Sequence, residues 1–248
     1  MKKERKFRFM ENPRPQKRAV KVAEKPKMAS FKVSLATTLT SRLREAILTG
    51  EVMPAARLHL EALGEQYGVS LSPVREALLR LVAEGFVVAE DQRGFRVVDA
   101  SIKKLVEVSA LRAHMEPFAL QHAIELGDVA WEERLVAVFH RLTRIEQRDG
   151  FVPFLDEWEQ THREFHLCLV SGCDMPMVTQ FCSMLHDQSD RYRRLFLKER
   201  PPQRNVAQEH AGIVDAVLAR DAARAGELLR AHSMQTGAAV QAFMRESR

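Results

Sequence analysis

Four histidines fall where a folded chain can turn them toward a single ion. His162 and His166 are four residues apart, one helical turn along the same face, and Leu155, Trp158, Phe165 and Leu169 turn that face toward a core. His210 lies among Val206, Ile213, Val214 and Val217, and His232 among Leu228, Leu229, Ala239 and Phe243. Neutral imidazoles on inward faces are the ligands that zinc-type ions take. Each histidine taken alone is equally well read as a hydrogen-bonded core residue, the simpler account for the isolated His140 and His186. Arg112 is the other polar residue on an apolar stripe, between Leu105, Val108, Met115, Ala119 and His122. A buried guanidinium requires a partner, which Glu116 one turn on, another carboxylate or an anionic ligand can supply.

The elements that carry these residues read as helices almost throughout. From Ser101 onward the pattern gives six, at roughly 102–126, 130–147, 151–171, 175–199, 203–219 and 222–245, broken at Gly127-Asp128, Asp149-Gly150, Gly172 to Pro176, Pro201-Pro202 and Asp221. No strand pattern interrupts them, so residues 100–248 are expected to form an antiparallel six-helix bundle.

Residues 34–99 have a different pattern. Leu39, Leu43 and Ile47 line one helix that closes at Gly50, and Leu60, Leu63 and Tyr67 line a short second one that stops at Gly68. A third begins at once in VSLSPVREALLRL, where Ser70 or Ser72 can cap the first turn and Pro73 sits where no N–H is needed. Val74, Ala77, Leu78 and Leu81 face inward, leaving Arg75 outward near the helix start. Two β-prone runs, Phe86 to Ala89 and Phe95 to Val98, flank the turn-rich Glu90 to Gly94. Three helices and a hairpin make a winged helix, with a helix-turn-helix at about 59–82. The fold class is therefore mainly α, a winged helix-turn-helix followed by a helical bundle.

The chain has 248 residues and a net charge of +5, yet residues 1–27 hold eleven basic against three acidic side chains. The basic balance thus comes from a tail, 1–33, expected to be disordered and able to attract phosphates without specificity. Cys168, Cys173 and Cys182 are odd in number and lack CxxC spacing, as expected of a reduced, cytoplasmic protein. No membrane span or signal-type apolar run is visible.

REAILTGEVMPAARL, YGVSLSPVREALLRLVAEGFV and RGFRVV resemble the winged helix of GntR-family transcription regulators. The departures are Ala56 for a usual Pro-Gly, Leu60 for a common acid, and Leu71 where relatives have a DNA-contacting arginine. Residues 102–248 resemble the FCD-type effector domain that follows many such winged helices. EHAGIVDAV and ARDAARAGELLRAHSM match its last two helices and supply His210 and His232, while THREFH matches its DxxxH motif with His162 in place of the aspartate. The resemblance implies a divalent metal on His162, His166, His210 and His232, and an all-nitrogen site favours zinc, or nickel, over hard ions. It also implies that Arg112 faces a small organic-acid effector. On this reading a homodimer places two recognition helices on palindromic operator DNA, with Ser70, Ser72 and Arg75 from the helix and Arg93 and Gly94 from the wing as contacts. Arg80 is expected to be a solvated charge. Repression relieved by ligand is the commoner family behaviour, and a regulator for which the metal itself is the signal is the alternative. A zinc-dependent hydrolase is the rival of another class. Against it, the glutamate in His162-Arg163-Glu164-Phe165-His166 is one place later than in HExxH, and no nucleophile or phosphate-loop motif occurs.

Overall fold

The computed structural model describes residues 34–91, 93–148, 152–199 and 204–246. The basic tail expected at 1–33 lies outside the described residues.

The N-terminal part is built on α1 (Leu35–Leu48), α2 (Leu60–Tyr67) and α3 (Leu71–Ala83). Ser34 starts α1 by accepting the Thr37 N–H at 3.1 Å. Gly68 ends α2 with φ 65°, a left-handed turn that lets α3 begin three residues later and that a Cβ would strain. Val74, Ala77, Leu78 and Leu81 are wholly buried against Leu39, Leu43 and Ile47. Burying such aliphatic side chains stabilises the fold by about 1.5–3 kcal/mol each. The expected cap on α3 is not made. Ser70 holds the N-cap position, but its hydroxyl accepts no cap hydrogen bond, so it is left facing outward.

The wing has three strands in the order β1 (Arg57–Leu58), β3 (Gly94–Val97), β2 (Val87–Glu90), both pairings antiparallel. Val87 pairs Val97, Glu90 pairs Gly94 and Arg57 pairs Arg96. The hairpin strands begin and end within a residue of their sequence positions. The two-residue β1 was not expected, being too short to show alternation.

Six bundle helices follow: α4 (Ile102–Leu126), α5 (Val129–Glu146), α6 (Leu155–Ser171), α7 (Pro176–Glu199), α8 (Val206–Leu218) and α9 (Ala222–Glu246). Ser101, Asp128 and Asn205 cap α4, α5 and α8 through their side chains. A 3₁₀ turn, Val152–Phe154, delays α6 to Leu155, beyond the expected start at 151, and α8 likewise starts at Val206 rather than 203. Trp131, Leu135, Phe165, Leu169, Ile213 and Leu229 form the centre of the core, and the Trp131 indole N–H donates to the Cys168 carbonyl at 2.8 Å. His140, expected in the core, is exposed on α5. Its neighbours Val138 and Leu142 take the inward positions.

Candidate functional site

Helix α6 turns His162 and His166 inward on the face set by Trp158, Phe165 and Leu169, while α8 brings His210 and α9 brings His232 from the facing side. All four are buried, and one ring nitrogen from each lies within 4.8 Å of the others. The Nε2 atoms of His162 and His166 are 3.1 Å apart. Arms of about 2.0–2.1 Å in a tetrahedral zinc site would separate neighbouring ligand nitrogens by about 3.3 Å. Trp158 stacks on His162 at 4.3 Å and 18°, which fixes the ring plane.

Outer contacts orient these rings. Glu209 Oε2 lies 2.8 Å from His232 Nδ1 and also accepts from Arg204 Nη1 at 2.8 Å. Glu146 Oε1 approaches His210 Nδ1 to 3.3 Å while accepting the Trp158 indole N–H at 3.1 Å. The approach to His210 is too poorly aligned for a hydrogen bond, and both nitrogens of that ring are without one, as are Nδ1 of His162 and of His166. Buried polar atoms are rarely left in this state. Burial, followed by neighbouring arginine and histidine charge, holds His162, His166 and His232 well below the ordinary histidine range, in the neutral form that a metal requires. The donor set and its unpartnered nitrogens fit a borderline divalent ion.

Arg112 is buried as expected, and its partner is Glu116. Nε donates to Oε1 at 2.7 Å and Nη2 to Oε2 at 3.2 Å, while Nη1 donates to Ser189 Oγ at 2.9 Å. Each of its three nitrogens thus has a partner within the fold. His186, read from sequence as an isolated core histidine, instead belongs to this wall. Its ring centroid is 5.2 Å from that of His166, and its Nδ1 is 3.5 Å from Arg112 Nη2. A cavity of about 30 Å³ adjoins the histidines and is lined in part by His162, His232, Arg193, Arg204 and Thr236. Arg193 is held by Glu159, yet its buried Nη1 has no partner. Sequence reading missed Arg193, Arg204 and His186. The run HDQSDRYRR in α7 is polar or charged at all but one position, yet His186 to Arg194 are all buried.

On the winged helix, Ser70, Ser72 and Arg75 are exposed at the start of α3, with Leu71 between the two serines 47% exposed. Arg93 and Gly94 are exposed at the wing tip, where Gly94 has φ 84° and contributes backbone only. Arg57, in the strand that sequence reading missed, is exposed on the same sheet. A hydrogen bond from Arg96 and the charges of Arg96, Arg57 and Arg93 lower the pKa of Glu90, which places a positive cluster on the wing. Arg80 is not a free solvated charge. It donates to Thr37 Oγ1 at 2.8 Å and to Glu76 Oε1 at 2.6 Å.

The hydrolase arrangement is not formed. Glu164 is exposed and accepts from Arg141 at 2.6 Å, away from the imidazoles. Cys168, Cys173 and Cys182 are free thiols. Among the described residues no helix is long and apolar enough to cross a membrane.

A winged helix with an exposed arginine at its recognition helix, joined to a helical bundle around a polar chamber, defines a DNA-binding transcription regulator. Residues 35–97 match the bacterial regulatory proteins of the gntR family and residues 107–235 match the FCD domain. The chain is 39% identical over 212 residues to an uncharacterized HTH-type transcriptional regulator, BphR, of Paraburkholderia xenovorans, covering 85% of this chain and 86% of that one. It is 34% identical over 206 residues to the HTH-type transcriptional repressor GlaR of Escherichia coli, covering 82% and 94%. The chain belongs to the GntR family of transcription regulators, in the branch with an FCD domain. The fold is shared with E. coli McbR/YncC at TM-score 0.71 and 24% identity, over 86% of this chain and 99% of that one. The relatives are regulators, and the chain is a DNA-binding protein rather than an enzyme.

Proposed function

We propose that this regulator holds a divalent metal, zinc in the first instance, on His162, His166, His210 and His232, and that a small carboxylate entering beside the ion changes its hold on operator DNA. The observation that carries the reading is the chamber of four buried imidazoles, three of which have nitrogens without a hydrogen-bond partner. Four neutral ligands leave the ion's charge undiminished, so the bound ion would supply a fixed dication suited to an anion. Arg193 lines the adjoining cavity and has a buried, unpartnered N–H group, and Arg204 donates to Glu209 beside His232. These two arginines are better placed to receive an acid than Arg112, which Glu116 already occupies. Repression relieved by the acid is the sign of regulation we propose, by analogy with the repressor among the relatives.

DNA reading falls to Arg75, with Ser70 and Ser72, at the N-terminal end of α3, and to Arg93, Arg57 and the Gly94 backbone on the wing. A homodimer would present two such surfaces to a palindromic site. Leu111, His114 and Phe118 form an exposed stripe along α4, with half-buried His122 at its end, that a second copy would cover. A second reading, in which the metal is itself the signal, is favoured by the cavity's size. About 30 Å³ holds one or two waters, so a larger acid needs the wall to move. The test is DNA selected from a random pool by the metal-free protein, then titrated separately with zinc and with small mono- and dicarboxylic acids. A response to acid only after zinc supports the first reading, and a full response to zinc alone supports the second. Affinity unaltered by either would overturn both.

A further inference from the structure

Helix α7 is polar where a bundle helix should be apolar, and its buried polar residues fall on two faces. His186, Ser189 and Arg193, spaced three and four apart, border the histidine chamber. Ser189 Oγ accepts from Arg112 Nη1 at 2.9 Å, His186 Nδ1 is 3.5 Å from Arg112 Nη2, and Arg193 lines the cavity. Gln188, Arg191 and Arg194 face the winged helix. Gln188 Nε2 donates to the Glu84 carbonyl at 2.8 Å, and Glu84 is the residue that ends α3, the DNA-reading helix. Arg191 donates to the Val98 carbonyl, just beyond β3. Arg194 Nη2 lies 3.9 Å from Glu45 Oε1 on α1.

The contact at Glu84 is built for close approach. The Glu84 carboxylate is gripped by Arg44 of α1 through bonds of 2.8 and 2.6 Å, which ties α1, the end of α3 and Gln188 into one knot. The next residue is Gly85, with φ 77°, where a Cβ would stand 3.3 Å from Gln188 Nε2. The two faces of α7 also share a carboxylate. Asp190 Oδ1 is 3.4 Å from Arg193 Nη2 on the chamber side and 3.1 Å from Arg194 Nε on the other. An anion that engages the free Nη1 of Arg193 draws on the guanidinium whose Nη2 Asp190 contacts, and Asp190 in turn holds Arg194.

We infer that α7 is the transmitter between the chamber and the DNA-reading helix, with Arg193, Ser189 and His186 as its sensing face and Gln188, Arg191 and Arg194 as its grip on the winged helix. The inference rests on the chamber being the metal and effector site. An intact α-helix moves as a unit, whereas hydrogen bonds are lost over fractions of an ångström. A small shift of α7 at the chamber therefore releases or tightens Glu84 and Val98 together.

The test uses the full-length protein, zinc as the probe, calorimetric titration for binding and amide hydrogen exchange of the 82–88 segment as the remote readout. Zinc binding to the metal-free protein should slow exchange there by at least about threefold. Gln188→Ala should bind zinc with affinity within about twofold of the parent yet lose the remote slowing. Zinc binding with no slowing in the parent, or equal slowing in Gln188→Ala, overturns the inference while leaving the metal reading intact. Zinc that fails to bind ends the metal reading, and Ser189→Ala then decides the coupling without any ligand. Loosening the chamber face should speed exchange of 82–88 by at least about threefold, with no further gain when Gln188→Ala is added. Unaltered exchange in Ser189→Ala overturns the inference.

Discussion

Replacing Glu116 by glutamine keeps the size of the side chain but removes the carboxylate that neutralises Arg112. The pair is sealed from water, with side chains 2% and 4% exposed, and its shorter bond is 2.7 Å. Glu116 also receives a hydrogen bond from Ser233 Oγ at 3.2 Å, which a neutral amide accepts less strongly. Stranding one charge of a buried pair costs about 3–5 kcal/mol. At roughly 2–4 °C per kcal/mol for a chain of this size, the midpoint of unfolding should fall by about 6–20 °C. The assay is urea and thermal unfolding in EDTA at fixed pH. The double replacement Arg112→Met with Glu116→Leu removes both charges and should recover to within about 1 kcal/mol of the parent. A loss below about 1 kcal/mol in Glu116→Gln, or a double variant as unstable as the single one, would refute the claim that Arg112 serves chiefly as one half of an internal pair.

Arg75→Ala should lower affinity for selected DNA by roughly 10- to 100-fold and leave binding to random DNA nearly unchanged, as measured by fluorescence anisotropy; equal losses on both would remove base reading from its role. Arg57→Ala and Arg93→Ala should instead weaken both kinds of DNA alike and reduce the salt slope by about one each, whereas an unchanged slope would exclude phosphate contacts. In EDTA, stability should fall as pH drops below the ordinary histidine value of 6.5. Burial, followed by neighbouring positive charge, keeps His162, His166, His186 and His232 neutral in the native state while the unfolded chain takes up protons. Each can contribute up to about 1.4 kcal/mol per pH unit between its native and unfolded values, and urea midpoints that stay flat from pH 7 to pH 5 would contradict this. Cys182 is buried, and desolvation and then the Glu116 charge push its thiol up to about 12. It should resist iodoacetamide in the native protein and react on unfolding, and native modification at pH 8 would show that the site opens.

Much of this architecture is legible in the residues because apolar stripes report burial directly. Val74, Ala77, Leu78 and Leu81 give α3 its inward face and thereby the outward direction of Arg75. Leu155, Trp158, Phe165 and Leu169 do the same for His162 and His166. The signal fails where burial is achieved by pairing charges. Asp187, Asp190, Arg191, Arg193 and Arg194 carry no apolar stripe that would announce burial, yet ion pairs and contacts with the winged helix enclose them. His186 is buried, as a core histidine should be, but its place in the chamber wall depends on Arg112 and His166, which lie on other helices. His140 is the converse case, lying among apolar residues but two positions from both Val138 and Leu142 and so on the opposite face of the helix. Two residues are too few for β1 to show alternation, and Arg57 was lost with it. The partners of Arg80, Thr37 and Glu76, lie on one distant and one adjacent turn, and only the packing of α1 on α3 joins all three.

The central claim, that four imidazoles from three helices hold one ion, is tested most directly by metal analysis and zinc titration of protein prepared without a polyhistidine tag. The account predicts one zinc ion per chain, with affinity reduced at least about tenfold by the loss of His210 or His232. A protein that takes up no zinc or nickel when either is supplied, or that binds zinc equally well after His210→Ala and His232→Ala together, would contradict it.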